Sequence, residues 1–387
     1  MFLEQTIKQD RELIEKAFML HQKGQIMPDS YVIDVDTFLD NSRTILQAAN
    51  NNGMDCYFML KQVGRNPFLA RKLVDLGYKG AVVVDYKEAL IMMKHHIPIC
   101  NVGHLVQIPK SLLQKLVDYG CDYYTVYSYQ KILDLNQCGK ASNKKLKLMI
   151  RVTDNNDMIY SGQTAGFYLD QLKELVNKVK ELDYVEIKGL TSFPCFLYDE
   201  SLEKIAATNN LKTLLKAKEI LESLGVNIDN INAPSTSSVE TIKEMLPYPI
   251  NSIEPGHGLS GTTPLHALQQ CAEKPCVVYV SEVSHNFDGL AYCYGGGHYR
   301  RSHVKNALVG KTIEGCKKVN VIVPTDESID YHFGLSENCQ ENDTVIMAFR
   351  FQIFVTRSNV VLLSGLKSNN PKIEGIYNSL GDEVKYE

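Results

Sequence analysis

No stretch of this 387-residue chain reaches the ~18 consecutive apolar residues that a membrane-spanning helix requires. No CxxC pair occurs among the ten cysteines, which are scattered from position 56 to position 339. That spacing argues against a disulfide framework and a structural zinc site, and for a reduced, cytoplasmic protein. Neither sign of charge dominates: 41 Lys and Arg face 45 Asp and Glu, a formal net charge of −4. The balance provides no electrostatic case for nucleic acid or an anionic membrane. Internal repeats and low-complexity tracts are missing too. The first residues, MFLEQTIKQDRELIEKAF, read as an amphipathic helix and not as a signal peptide.

What is present is length for two domains and a strong α/β alternation. Short apolar runs at 56–61, 80–85, 97–103, 122–127, 146–152, 184–193, 229–233 and 250–254 are separated by helical patterns. Those patterns cover 67–76, 86–95, 110–119, 169–182, 209–224 and 238–245. Eight such units predict a (β/α)8 barrel with its site at the C-terminal ends of the strands. Beyond Gly261 the period changes to alternating β runs (PCVVYVSEVSH, KKVNVIVP, DTVIMAFRFQIFVTRSNVVLLSG), which predicts an antiparallel β domain. The expected division is a helical segment at 1–29, the barrel at 30–265 and the β domain at 266–387. Residues 25–40 are expected to supply an early strand, with Asp36 or Thr37 capping the next helix. GLKSNNPKIEG, at 365–375, reads as a loop.

Three elements carry chemistry. Lys61 closes the first apolar run, after CYFML. Alone it is an ordinary strand-end lysine, but a desolvated amine at a barrel mouth is the group that condenses with an aldehyde cofactor. Glu254-Pro255-Gly256-His257-Gly258-Leu259-Ser260-Gly261 follows the eighth run. Ala233-Pro234-Ser235-Thr236-Ser237-Ser238 follows the seventh. Glycines freeing backbone N–H groups, and hydroxyls opening a helix, suit a phosphate where barrels often bind one.

With these residues the chain resembles fold-type III pyridoxal-phosphate (PLP) enzymes, the alanine racemase and ornithine decarboxylase group. Tyr31-Val32-Ile33-Asp34-Val35-Asp36 with Asn41 is similar to the opening of alanine racemases, and Lys61 falls at their PLP lysine. KQVGRNP (61–67), GHLVQIP (103–109), 254–264, AYCYGGGHYRR (291–301) and FRFQIFVTRS (349–358) resemble most the YhfX-type amino-acid racemase-like proteins. The resemblance implies PLP held by Lys61 as a Schiff base. It implies a phosphate site at Ser235, Thr236, Gly256, Gly258, Ser260 and Gly261, and Arg151 near the cofactor's phenolic oxygen, although Arg151 also suits a structural ion pair. Tyr294 matches the tyrosine that reaches the partner subunit's site in that family, with Tyr292 and Cys293 as near rivals.

Two departures matter. Alanine racemases place an arginine where Glu254 stands. A carboxylate there, as in the decarboxylases, favours a protonated pyridine nitrogen and a stronger electron sink. Ser192 stands where they have a histidine, which leaves Phe193 or His104 to pack on the ring. The related D-serine dehydratases and D-threonine aldolases use a metal. His332 resembles their first ligand, but the His-x-Cys partner is replaced at 351–353, so no metal is expected. The expected activity is amino-acid racemisation in a homodimer with shared sites, Lys61 and the partner's Tyr294 serving opposite faces of Cα. A lyase or decarboxylase, or a non-catalytic PLP carrier, is the rival. Arg300, Arg301, Arg350 and Arg357 are candidates for a substrate carboxylate or for the dimer contact, and the substrate itself is left open.

Overall fold

The α/β alternation folds as eight parallel strands, which the computed structural model resolves as β1 (Asp55–Cys56), β2 (Ala81–Val82), β3 (Ile99–Val102), β4 (Cys121–Val126), β5 (Leu146–Thr153), β6 (Val185–Thr191), β7 (Asn230–Asn232) and β8 (Ser252–Ile253). The structure describes residues 2–368 and 370–385. Successive strands are neighbours, β8 pairs with β1, and a parallel bridge between Phe58 and Ala81 joins β1 to β2. The ring closes as the (β/α)8 reading requires. Strands covered on both faces are apolar almost throughout: in β5 every residue but Lys147 is buried. Helix starts follow local capping chemistry. Asp85 accepts the amide of Glu88 (2.9 Å), and Ser128 accepts that of Lys131 (3.3 Å).

The first strand is shorter than its apolar run. After the Phe58 bridge the chain leaves the ladder, and Lys61 opens a single 3-10 turn, Lys61–Val63, instead of ending a strand. Gly64, at φ +72°, closes that turn by donating to the Lys61 carbonyl (3.4 Å). A hairpin after β6, Phe196–Asp199 with Lys204–Ala207, was not legible in the sequence.

The chain forms two compact units, neither continuous in sequence. One is Ile45–Leu60 with Ala70–Gly256; the other is Met1–Thr44, Lys61–Leu69 and His257–Glu387. In the second, a nine-stranded sheet runs in the order Leu290–Tyr294, His332–Leu335, Lys317–Ile322, Asn306–Gly310, Thr344–Met347, Val277–Phe287, Ser30–Asp34, Asn359–Ser364, Lys372–Tyr377. Val277–Phe287 also pairs with Leu290–Tyr294, which curls the sheet into a barrel-like form. The pairs are antiparallel as expected, except that Ser30–Asp34 runs parallel to Asn359–Ser364. The helices Phe2–Gln9 and Arg11–Gln22 pack Leu13, Ile14, Ala17 and Phe18 against this sheet.

Three expectations change here. The cap of the helix Val35–Asn50 is Asp34, whose carboxylate accepts the Asp36 amide (3.0 Å) and the Thr37 hydroxyl. The apolar run at 345–355 is not one strand but breaks after Met347. Val345, Ile346, Met347, Phe349, Phe351 and Ile353 are all buried. The loop at 365–375 gives way to strand from Lys372; its Asn369 lies outside the described residues.

Asn41 ties this unit together. Its amide donates to the carbonyls of Leu259 (3.1 Å) and Lys274 (2.8 Å), and its oxygen accepts the Lys274 amide (2.8 Å). Beside it Gly261, at φ +61°, lies so close to the Lys274 carbonyl that a Cβ would stand 2.1 Å from the oxygen. Asn41→Ala removes three hydrogen bonds to the backbone of Leu259 and Lys274, the one to Leu259 buried, and is expected to cost about 1–3 kcal/mol in denaturant unfolding; a loss below about 0.5 kcal/mol contradicts this role.

Candidate active site

The ends of the barrel strands gather polar side chains inside an otherwise apolar ring. Gly103, at φ +85°, follows β3 with its α-carbon against the Thr125 carbonyl, where a Cβ would meet the oxygen at 2.5 Å. That turn delivers His104, fully buried, to within 3.4 Å (Nε2–Oε1) of Glu254, the residue after β8. The other Glu254 oxygen accepts the Asn232 side-chain amide (3.4 Å), and Asn232 in turn accepts the Thr191 hydroxyl (3.0 Å). Further down the same interior, Ser252 donates to Asn230 (2.7 Å) and Asn230 to the Tyr57 hydroxyl (2.8 Å). A buried carboxylate needs such partners, since desolvation without them costs several kcal/mol.

Phe193 stands edge-on to His104, ring centroids 5.8 Å apart, with Tyr160 at 5.8 Å on it as well. Arg151, at the end of β5, is buried and donates to the carbonyls of His104 (3.2 Å) and Gln163 (2.9 Å). Burial lowers its pKa, and the Tyr127 ring lies 5.7 Å from its guanidinium carbon. Arg151 braces the His104 backbone at the strand ends through carbonyls, not through an ion pair. Ser192 is buried, its hydroxyl accepting from Asn210 (3.4 Å). Ser235 is half-buried. Thr236 is held at φ +52°, rare for a β-branched residue, by its own bond to the Phe196 carbonyl (3.2 Å) and by Thr241 donating to its carbonyl (2.6 Å). Gly256 is buried and follows Pro255, whose carbonyl accepts the Met59 amide (3.0 Å). Lys61 is two residues beyond Met59 in the chain.

In the other unit, His257 anchors a hydroxyl chain. Gln352 donates its side-chain amide to Nε2 (3.1 Å), which leaves Nδ1–H to donate to Thr262 (3.0 Å). Thr262 meets Ser260 (2.7 Å), and Ser260 donates back to the His257 carbonyl (3.3 Å). Burial first, then the charges of Arg350, Lys61, His266 and Arg301, push the His257 pKa well below the ordinary imidazole value. His257 is therefore a neutral, oriented strut. Gly258 and Ser260 are buried in this loop. The sequence reading missed His257, Gln352 and Asn232. Only the flanking glycines of His257 hinted at a special role.

Tyr294 lies 40% exposed on one face of the sheet, directly across from His332, with ring centroids 6.1 Å apart. Tyr292 shares that face by alternation and stacks on His285 at 5.0 Å. Cys293 points the opposite way into the core, where burial raises its thiol to about 12.

The family described as alanine racemase, N-terminal domain, matches residues 33–264, and the one described as YhfX-like, C-terminal domain, matches 278–373. The chain belongs to the alanine racemase N-terminal domain family. This alanine racemase-like chain is 41% identical over 386 residues to YhfX of Escherichia coli K12, an uncharacterized protein, covering 99% of this chain and all of that one. Its fold is similar to an alanine racemase from Bacillus anthracis with bound L-Ala-P (TM-score 0.67, 15% identity, 92% of this chain and 99% of that one). It is also similar to a D-threonine aldolase from Filomicrobium marinum (TM-score 0.66, 14% identity, 91% and 94%). No helix among the described residues is long and apolar enough to cross a membrane.

Depressed basicity of His257 has a direct readout. Its ring nitrogens are expected to keep the neutral Nδ1–H pattern in NMR from about pH 5 to 8, through the ordinary imidazole range. Gln352→Leu removes the donor to Nε2 and should shift that resonance. A normal titration near the ordinary value contradicts the strut.

Proposed function

We propose that this chain is a PLP-dependent amino-acid racemase or epimerase. The observation that carries the reading is the buried Glu254 carboxylate at the end of β8, met by His104 and Asn232. This donor set fits PLP: an anion held in a dry barrel end suits a protonated ring nitrogen, by the opposite-charge rule. Lys61 would carry the cofactor, with Ser235, Thr236, Gly256, Gly258, Ser260 and Gly261 as the phosphate loops and Arg151, His104, Ser192 and Phe193 around the ring. When bound, PLP supplies an electron sink for charge developing at the substrate's Cα.

The chain's own groups move the protons. Lys61 takes the Cα proton on one face as a base. Inversion demands a second acid/base on the other face. Tyr294 suits it, because its ring lies on an accessible sheet face beside His332, whereas Cys293 is in the core. Tyr294 would act in the partner subunit's site, so the working unit is a C2 dimer with two composite sites. A lyase is the second reading. It is favoured by Glu254 itself, since a stronger sink also serves C–C cleavage, and by the likeness to a D-threonine aldolase.

Borohydride should fix the cofactor on Lys61, and Lys61→Ala should abolish that label. Covalent cofactor found elsewhere in the variant overturns the assignment. With a panel of amino acids in deuterated water, a racemase exchanges and inverts Cα, whereas a lyase releases a cleaved product. Tyr294→Phe is expected to slow racemisation by about 10²- to 10⁴-fold. Mixing it with Lys61→Ala should restore one working site per heterodimer. Verified heterodimers without recovered activity would return the second acid/base to the same subunit.

A further inference from the structure

Tyr294 is followed by three glycines, Gly295-Gly296-Gly297, the least restrained sequence a chain can place beside a side chain that moves protons. Each residue of this loop is nevertheless engaged. Ser281 donates its hydroxyl to the Tyr294 carbonyl (2.7 Å). The Gly295 amide donates to the Tyr331 carbonyl (2.8 Å). The amides of Gly296 (3.1 Å) and His298 (2.9 Å) share one oxygen, Oδ2 of Asp330. The Gly296 carbonyl accepts the Arg357 amide (3.1 Å), and the Gly297 carbonyl accepts the Tyr31 hydroxyl (2.6 Å). Asp330 is itself fixed, since its Oδ1 pairs with Arg357 at 3.0 Å.

The residues are glycines because their surroundings stand too close for anything larger. A Cβ at Gly295 would lie 2.1 Å from the Asp330 carbonyl oxygen, one at Gly296 2.0 Å from Oδ2 of Asp29, and one at Gly297 2.4 Å from the Tyr279 ring. Gly296 also holds φ +126°, a conformation that L side chains rarely adopt. Asp29 organises this wall. Its Oδ1 accepts the hydroxyls of Tyr279 (2.8 Å) and Ser358. Tyr279 has one hydroxyl proton and gives it to the carboxylate, so its longer contact with the Tyr294 carbonyl (3.5 Å) is secondary to that of Ser281. Burial pushes the Asp29 pKa up to about 6, against the two hydroxyl donors and the charge of Arg357, so at about pH 8 the group is ionised.

We propose that Asp330 and Asp29 are positioning residues for Tyr294: they turn the glycine triplet from a hinge into a fixed support and so set where the phenol stands for proton transfer. Such transfer needs heavy atoms about 2.6–3.2 Å apart. A misplacement of ~1 Å costs on the order of 10²-fold in rate. Glycines without anchors sample both signs of φ and cannot hold a ring to that tolerance. Pairing of Tyr294 with His332 secures the tyrosine from the strand side. The two carboxylates secure it from the loop side. The inference rests on the reading of Tyr294 as the second acid/base and deepens it.

Fluorine NMR on the full-length protein, with 3-fluorotyrosine at position 294 alone, observes the ring without requiring turnover. One narrow resonance is expected. Asp330→Ala and Asp29→Ala should each broaden or split it. Asp29→Asn, which keeps an oxygen for Tyr279 and Ser358, should restore the single line. Unchanged shift and line shape in both alanine variants overturns the proposal, because strand pairing then suffices. Turnover gives a second readout. In deuterated water each alanine variant should invert Cα at least about tenfold more slowly, while exchange on the Lys61 face stays within about threefold. An equal fall in both rates marks general damage and also overturns it. Should the variants not fold, amide exchange in the unaltered protein decides. Gly296 and His298 are expected to exchange at least about 10²-fold more slowly than in an unfolded chain, and rates at the unfolded level overturn the fixed support. If the unaltered protein racemises no amino acid, the functional reading fails on its own account, and the fluorine resonance still tests the loop.

Discussion

A carboxylate cannot stay ionised in a dry barrel end unless other groups turn toward it, and Glu254 imposes that demand on three strands. His104 must arrive from β3, Asn232 from β7 and, through Asn232, Thr191 from β6. Each requirement reaches back into the backbone. His104 is delivered by a positive-φ glycine that nothing larger could replace, and its carbonyl is braced by the buried Arg151. The polar interior continues as a ladder to Asn230 and Tyr57. A buried polar network of this kind is worth having only when it is satisfied; its members then hold one another rigidly.

The second unit meets a different constraint. Its buried imidazole, His257, is neutral and fixed between an amide and a hydroxyl, so it orients the loop without entering acid–base chemistry. Asn41 and the tight Gly261–Lys274 approach fix the next few residues. This loop follows Glu254 directly in the chain. The groups whose charges depress His257, namely Arg350, Lys61, His266 and Arg301, come from four separate stretches of sequence.

Much of this was legible in the residues. The eight apolar runs, the change of period after Gly261, Lys61 behind CYFML and Glu254 before Pro-Gly are local patterns, and local patterns survive folding because strand and helix periodicity is set by neighbours in the chain. Boundaries were less secure. Lys61 reads as a strand end because its run is apolar to the last residue, yet Gly64 draws it into a turn. The run at 345–355 alternates well enough for a strand, but Phe349 and Phe351 are instead drawn into contact with Tyr31.

By itself, then, the sequence determined the class of fold, the order of its elements and which residue types are available for chemistry, because these follow from composition and spacing. Only the tertiary structure decided which of them meet. That Glu254 faces His104 and not another strand end depends on ring closure. That Ser30–Asp34 joins a sheet more than 240 residues away depends on long-range pairing. That Tyr294 is on an exposed face while Cys293 is buried depends on which side of the sheet the core covers, and a one-residue shift in register would have exchanged them.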